Sequence, residues 1–244
     1  MEKSKFEGLV NKYNLGGSCE SVLLNVSGNL LNTTAITDDK NVLCKVVGPA
    51  MGLPDGEYPV HETAKLRSLL GVLGENLSPE VQTSGENPTS IKFTDVDSNT
   101  VATFVLADKD VIPDVPDVTW IPKTDVQLTL NKQFIQTFIK AKAALSDVDT
   151  FTVETASGET DASVILGYST LNTNRIKLSA TKQDVGSSIS PISFSAKYLR
   201  EILVANKDAG DSTLEVSSRG LARVVFDANG VKSEYFLVQI DTSV

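Results

Sequence analysis

One histidine, His61, stands in 244 residues, and its isolation removes the commonest general base and any histidine-based metal cluster. Only two cysteines are present, Cys19 and Cys44, in neither a metal nor a redox spacing; they read as two reduced thiols rather than a disulfide framework. No apolar run approaches about 18 residues, and nothing near Met1 resembles a signal sequence. The expectation is a soluble, cytoplasmic chain with no membrane partner. A glycine-rich phosphate loop is missing too: Gly16-Gly17 lacks the Lys-Ser/Thr that would complete it, and Gly48, Gly52 and Gly56 sit around prolines. Carboxylates gather in turns such as Asp38-Asp39 and Asp147-Val148-Asp149, without helical spacing beside an apolar pocket. No catalytic residue, metal ligand or cofactor site emerges, so the expected role is not enzymatic.

Cations are in short supply as well. The 22 Lys and Arg face 31 Asp and Glu, for a net charge of −9. Taken as a sum, that argues against nucleic acid, because phosphate contact is dominated by Lys and Arg. The distribution along the chain reverses the argument.

Ser4 and Glu7 have capping-box spacing, and Phe6, Leu9, Val10 and Tyr13 fall on one helical face until Asn14-Leu15-Gly16-Gly17 stops it. Strand-like runs follow at 21–26, 29–36 and 41–47. After turn chemistry at 52–56, a short strand at 57–60 leads to a second helix over 61–73, with Leu66, Leu69, Leu70 and Leu73 on one face and Ala64, Arg67, Ser68 and Gly71 on the other. Three more runs come near 80–83, 90–94 and 100–106. Residues 108–124 then lose all periodicity. They hold Pro113, Pro116, Pro122, four aspartates and the only tryptophan, Trp120, and read as a linker of about 16 residues.

The second half restarts. A strand at 125–130 precedes Asn131, which can cap a third helix that turns Phe134, Ile135, Phe138 and Ile139 inward. Strands follow at 150–154, 162–168 and 174–180. The last stretch, 188–239, is the clearest: an apolar run closing at Phe194, Ser195 as an N-cap, a helix burying Tyr198, Leu199, Ile202 and Leu203, then Leu214-Glu215-Val216, 221–226 and 235–238. The last two runs are joined by Asn229-Gly230, which suits a type I′ hairpin because both central positions need positive φ. Four units of roughly 55–65 residues thus repeat one plan, a strand and helix followed by three strands. In the first, the opening strand is missing or very short. The ending Thr242-Ser243-Val244 fits a loose pattern for C-terminal peptide capture, with a frayed tail as the alternative.

The cations concentrate in the four helical segments. Lys3, Lys5, Lys12, Lys65, Arg67, Lys132, Lys140, Lys142, Lys197, Arg200 and Lys207 stand there against Glu2, Glu7, Glu62 and Glu201. That is a net +7 in 54 residues, which leaves −16 on the other 190. Lys and Arg are good helix formers that suit solvated faces, and this is the plain explanation. Glu is an equally good helix former, yet it is depleted here. If the four helices share one side of the sheets, their outer faces form a positive lining able to hold a phosphate backbone without reading bases.

The order of elements, with a basic helix of the form Phe-x-x-x-Tyr-Leu-x-x-x-Leu from Phe194 and a closing Tyr-x-Leu at Tyr235 to Leu237, resembles the final repeat of DNA polymerase sliding clamps. The length resembles the processivity clamp of T-even-type bacteriophages and, more distantly, proliferating cell nuclear antigen. The resemblance implies an α+β DNA-clamp fold of two similar domains, each built from two strand-helix-three-strand repeats, with helices on one face of antiparallel sheets. Residues 1–110 and 125–244 would be the domains and 111–124 the linker between them. It implies a homotrimeric ring that encircles double-stranded DNA without sequence specificity, with the eleven helical cations facing the duplex. Subunits would join by pairing the edge strands around 100–106 and 174–180. The ring would tether the replicative DNA polymerase, be placed by a clamp loader, and work in the host cytoplasm if phage-encoded. Partner peptides would enter an apolar pocket, for which Val111, Ile112, Val115 and Trp120 on the linker, with Leu237 and Ile240, are the matching positions. One departure touches that pocket. Cellular clamps often carry proline two residues past the closing Tyr-x-Leu, whereas here Val238-Gln239 follows. The alternative is a non-enzymatic β-rich structural or assembly protein with no DNA contact. A carbohydrate- or peptide-binding module is the third reading, and it would want more exposed aromatics than nine Phe, five Tyr and one Trp spent mostly on core positions.

Overall fold

The computed structural model describes residues 1–85, 87–168 and 173–241, so the ending at 242–244 lies outside the described residues. These form two compact units, the first of 1–38, 44–116 and 230–233 and the second of 39–43, 117–229 and 234–244. No helix among the described residues is long and apolar enough to cross a membrane.

The first unit opens with α1 (Lys3–Asn14), β1 (Val22–Ser27), β2 (Leu30–Ile36) and β3 (Val42–Pro49). It then repeats the plan with β4 (Gly56–Val60), α2 (Thr63–Leu70), β5 (Leu77–Ser84), β6 (Asn87–Asp95) and β7 (Val101–Val105). The second unit holds β8 (Val126–Leu130), α3 (Lys132–Ala144), β9 (Thr150–Thr155), β10 (Asp161–Leu166) and β11 (Ile176–Lys182). Its final repeat is β12 (Ile189–Ser195), α4 (Ala196–Ala205), β13 (Ser212–Ser217), β14 (Leu221–Ala228) and β15 (Val231–Val238).

Each repeat's opening strand pairs, antiparallel, with the first strand after the helix of its sister repeat. β4 lies on β1, β12 on β9, and β8 on β13. In the first repeat that strand has shrunk to a single bridge, Glu2 to Asn76, held by Lys3 N–H to the Glu75 carbonyl at 2.8 Å and Leu77 N–H to the Met1 carbonyl at 2.9 Å. The consequence is topological. In the second unit β8 joins β11 to β13, giving the run β12-β9-β10-β11-β8-β13-β14-β15, while in the first unit β5-β6-β7 stays a separate sheet beside β3-β2-β1-β4.

The helices begin where local chemistry satisfies their free amides. The Asn131 side chain accepts from Phe134 N–H at 2.8 Å, and Ser195 Oγ from Tyr198 N–H at 3.3 Å. The expected capping box at Ser4 and Glu7 does not form. α1 starts earlier, at Lys3, after Glu2, and both Ser4 N–H and Ser4 Oγ donate to the Glu75 carboxylate instead. α2 is shorter than the 61–73 expected. Glu62 sits in left-handed backbone, with φ of 60°, and the chain turns after Leu70, although Leu73 remains buried. Asn229 and Gly230 carry φ of 55° and 75°, as the hairpin requires.

In the first unit α1 and α2 pack together over the strands, with Phe6, Leu9, Val10, Tyr13, Leu66 and Leu70 fully buried. Phe6 meets Phe93 of β6 at 5.9 Å between ring centroids. Gly48 of β3 lets α1 approach closely, since a Cβ there would stand 2.8 Å from Leu9 Cδ1. In the second unit α3 and α4 pack together, and Phe138, Phe151 and Phe194 lie in series, the first pair edge-on at 5.8 Å between centroids and the second tilted at 5.7 Å. Each such ring contributes about 1.5–3 kcal/mol relative to exposure.

Candidate nucleic-acid interface and peptide groove

Burying one stripe of each helix sends the other to solvent, and most helical cations go with it. In the first unit Lys65 and Arg67 are exposed on α2. Arg67 borders a surface cleft of about 410 Å³ between the helices, which Glu7, Asn11, Ala64 and Ser68 also line, and its guanidinium donates to Asn14 Oδ1 at 3.4 Å. Lys5 is exposed and paired with Glu2 at 2.8 Å, a contact worth little at such exposure. Lys12 is half-buried, and Lys3 spends its ammonium on the Leu73 carbonyl at 2.6 Å.

In the second unit Lys132, Lys140, Lys197 and Lys207 are exposed. Arg200 is half-buried and paired with Glu201, and Lys197 stands over the ring of Tyr198 at 5.3 Å. Lys142 differs. It is buried, and its ammonium donates to the carbonyls of Leu145 at 3.3 Å and Ser146 at 2.8 Å, closing the end of α3.

Sequence reasoning missed the residue that holds the first helix pair in place, Glu20. Its Oε1 accepts from Asn14 Nδ2 at 2.9 Å at the end of α1, and its Oε2 accepts from Ala64 N–H at 2.8 Å at the start of α2. A carboxylate at a helix N-terminus is favoured by charge. Because Glu20 lies in a connecting segment, no periodicity marks it.

The expected pocket residues divide between the units. In the first, Ile112 and Val115 line a groove of about 320 Å³ whose floor is the outward face of β1 and β2, namely Leu23, Asn25, Asn32 and Thr34. Asn25 and Asn32 are register partners, and Asn25 also lies opposite Glu57 of β4, which pairs with Lys109 at 2.6 Å. Val111 is exposed beside the groove. In the second unit Trp120 is 63% exposed, with the Arg219 guanidinium 5.7 Å from its ring centroid. The turn bearing Arg219 is fixed by Ser218, whose N–H and Oγ both donate to Asp125 Oδ2 at 2.7 Å and hold that carboxyl below its ordinary range. Gln239 N–H donates to the Gly220 carbonyl and Ile240 N–H to that of Ser193, both at 2.9 Å, so the chain end runs beside the same turn. Leu237 is buried in the core.

Among the open strand edges of the described residues are the two expected to join subunits. β7 pairs only with β6, and its Val101 and Val105 side chains are exposed. β11 meets β8 only at Thr181 and Lys182, which leaves 176–180 without a partner on that side.

Neither a family model nor a curated protein matches the chain by sequence. Solved structures match it along nearly its whole length. The proliferating cell nuclear antigen of A. fulgidus, solved with the C-terminal region of FEN-1, shares 14% identity at a TM-score of 0.76, covering 100% of this chain and 98% of that one. That of Entamoeba histolytica shares 13% at 0.74, covering 98% and 96%. The PCNA2–PCNA3 complex of Sulfolobus tokodaii shares 12% at 0.73, covering 98% and 97%. At such identities the likeness establishes the fold: antiparallel α+β architecture in two similar halves, the DNA-clamp fold.

Proposed function

We propose that the chain is one subunit of a ring-shaped sliding clamp that encircles duplex DNA without sequence specificity and tethers a replicative DNA polymerase for processive synthesis. One observation carries this reading: within a clamp fold of net charge −9, exposed cations stand on all four helices, at Lys5, Lys65, Arg67, Lys132, Lys140 and Lys197, with Lys207 exposed just past α4. Lining a ring, these helices attract phosphate while the acidic remainder repels it, which suits a body that must hold DNA and still slide. No catalysis is asked of the chain, whose contribution is to raise the effective concentration of polymerase at the primer end.

In this reading the ring is a homotrimer, made by pairing β7 of one copy with β11 of the next. A heterologous contact of that kind closes when its rotation permits, and closure removes two edges that would otherwise invite aggregation. Partner peptides of the polymerase and a clamp loader dock at Val111, Ile112 and Val115 of the first unit or at Trp120 and Ile240 of the second, while Leu237, buried in the core, supports the strand rather than the peptide. Residues 1–110 and 125–244 are the working domains and 111–124 their linker. In the same reading the clamp is of the T-even-type phage class and acts in the host cytoplasm; its two-domain length is shared with the proliferating cell nuclear antigens it resembles and does not separate the two classes.

The test is charge reversal. Lys140→Glu, Lys197→Glu and Arg200→Glu together should leave circular dichroism and solution mass unchanged and weaken retention on closed circular DNA, with the largest difference from the parent at low salt. Retention equal to that of the parent would contradict the placement of these residues against DNA and favour an assembly protein without DNA contact.

A further inference from the structure

The open edges of β7 and β11 match in parity. In β7 the Leu106 N–H donates to the Thr89 carbonyl and the Thr100 carbonyl accepts from Asp95 N–H, so even-numbered residues bond to β6 and the backbones of Val101, Thr103 and Val105 face outward. In β11 the Lys182 N–H donates to the Thr160 carbonyl, so even-numbered residues bond to β10 and the backbones of Lys177 and Ser179 face outward. On both strands the outward backbone belongs to residues with exposed side chains, while Ala102, Phe104, Leu178 and Ala180 are buried. An antiparallel joint between two copies therefore sets exposed against exposed and buried against buried, and carries one core face on into the other.

Each edge also has a stop. The Ala107 N–H donates to the Pro59 carbonyl, so β4 covers the chain past Val105, and Thr181 already lies opposite Thr129 of β8. Between these stops one register fills all three open positions of β7: Val101 opposite Ser179, Thr103 opposite Lys177, and Val105 opposite Arg175, just before β11. A shift of two residues one way sets Val101 against Thr181, whose place is taken by β8. The opposite shift leaves Ser179 unpaired.

The far end of this register meets a groove. Val105 lines an opening of about 640 Å³ between β4 and the start of β6, with Glu57, Thr89 and Asp108 on its wall. Glu57 is paired with Lys109 at 2.6 Å, whereas the exposed Asp108 carboxylate has no ion pair among the described residues. Arg175 is an exposed cation equally without one.

We propose, resting on the ring reading, that successive copies join in this register and that Arg175 of one copy enters the groove to pair with Asp108 of the next. Directly opposite side chains stand about 5 Å apart at Cβ and long ones reach diagonal neighbours, which brings a guanidinium opposite Val105 to the carboxylate three residues on. A short joint faced by Val, Thr and Ser specifies its register weakly. A charge pair at one end fixes it and sets like charges or empty contacts against slipped alternatives.

The test is solution mass of the full chain by light scattering over a concentration series, for the parent, Arg175→Glu, Asp108→Arg and both substitutions together. Each single change sets like charges together and should raise the concentration at which the oligomer dissociates by about tenfold; the double change restores opposite charges and should return it toward the parent. Circular dichroism should be the same for all four, since both residues are exposed. Singles that dissociate where the parent does, or a double as weak as either single, would overturn the Arg175–Asp108 contact and leave the ring standing. A monomeric parent would overturn the ring and this joint with it. Cysteine pairs read the register separately. Val101→Cys with Ser179→Cys should link neighbouring copies on oxidation, seen as a ladder on a non-reducing gel, whereas Thr103→Cys with Ser179→Cys, two residues out of register, should not. Linkage by the second pair, or by neither, would overturn the register.

Discussion

The Asn206 side-chain amide donates to the Tyr235 hydroxyl at 2.9 Å, inside the core of the second unit. Asn206 ends α4, and its amide also donates to the Ile202 carbonyl at 2.9 Å, so one side chain closes the helix and fastens it to β15. Tyr235 in turn meets Phe226 edge-on at 6.2 Å. Tyr235→Phe keeps the ring contact and leaves the buried amide without that acceptor. The expected loss is about 1–3 kcal/mol, read from denaturant unfolding of the second unit. An unchanged midpoint would mean that the hydroxyl does not anchor the helix.

Acid should loosen the first unit at a particular turn. Asp95 accepts from Ser98 Oγ at 2.7 Å, Gly74 N–H at 2.9 Å and Asp97 N–H at 3.0 Å, and these bonds hold its pKa down to about 2. A carboxylate whose folded pKa lies below its unfolded value contributes stability above the unfolded pKa and loses it as pH falls through the folded one. The parent should therefore lose stability between about pH 4 and pH 2, and Asp95→Asn should lack that part of the profile. Parallel acid profiles for the two proteins would contradict the assignment.

Lys140 and Lys142 sit two residues apart on α3 and should behave oppositely. Lys140→Glu is expected to weaken DNA retention with stability unchanged. Lys142→Ala is expected to lower the midpoint, because the carbonyls of Leu145 and Ser146 lose their donor, while retention holds. Equal effects of the two on retention would return Lys142 to the DNA-facing set.

Assembly should fail when the β7 edge is blocked. The Leu106 N–H donates to the Thr89 carbonyl, and the Thr100 carbonyl accepts from Asp95 N–H, so even-numbered residues of this segment face β6 and Thr103 N–H points to the open side. Thr103→Pro removes that outward donor and leaves the bonds to β6 in place. A folded chain of reduced solution mass is expected. An unaltered oligomer would exclude β7 as the joining edge.

Trp120, the sole tryptophan, makes the linker its own reporter. A polymerase C-terminal peptide should shift its emission on binding, and removal of residues after Phe236 should abolish the shift while the oligomer persists. Normal titration of the shortened chain would count against the pocket reading.

Much of this architecture was legible because it rests on local rules. Asn131 and Ser195 cap where an acceptor precedes an apolar face, and Asn229-Gly230 turns where positive φ is needed. The reduced opening strand was legible from the absence of an apolar run before α1. What escaped depends on contacts across long separations. The Ser4 and Glu7 spacing pointed to a capping box, but Glu75 reaches Ser4 from the segment just before β5 and takes its place. Glu62 in left-handed backbone delays α2, with Glu20 satisfying the first amides from another loop. At the candidate sites, type and spacing identified cationic helices but not which ammonium groups turn inward to carbonyls, as Lys3 and Lys142 do. Nothing in composition pairs Trp120 with Arg219 or supplies Asn25 and Asn32 as the floor beneath Ile112.

The ring itself is tested most directly by solution mass, measured by light scattering across a concentration series. A species near three times 26.1 kDa that dissociates on dilution is the predicted result. A strict monomer at every concentration would leave the clamp fold intact and contradict the ring.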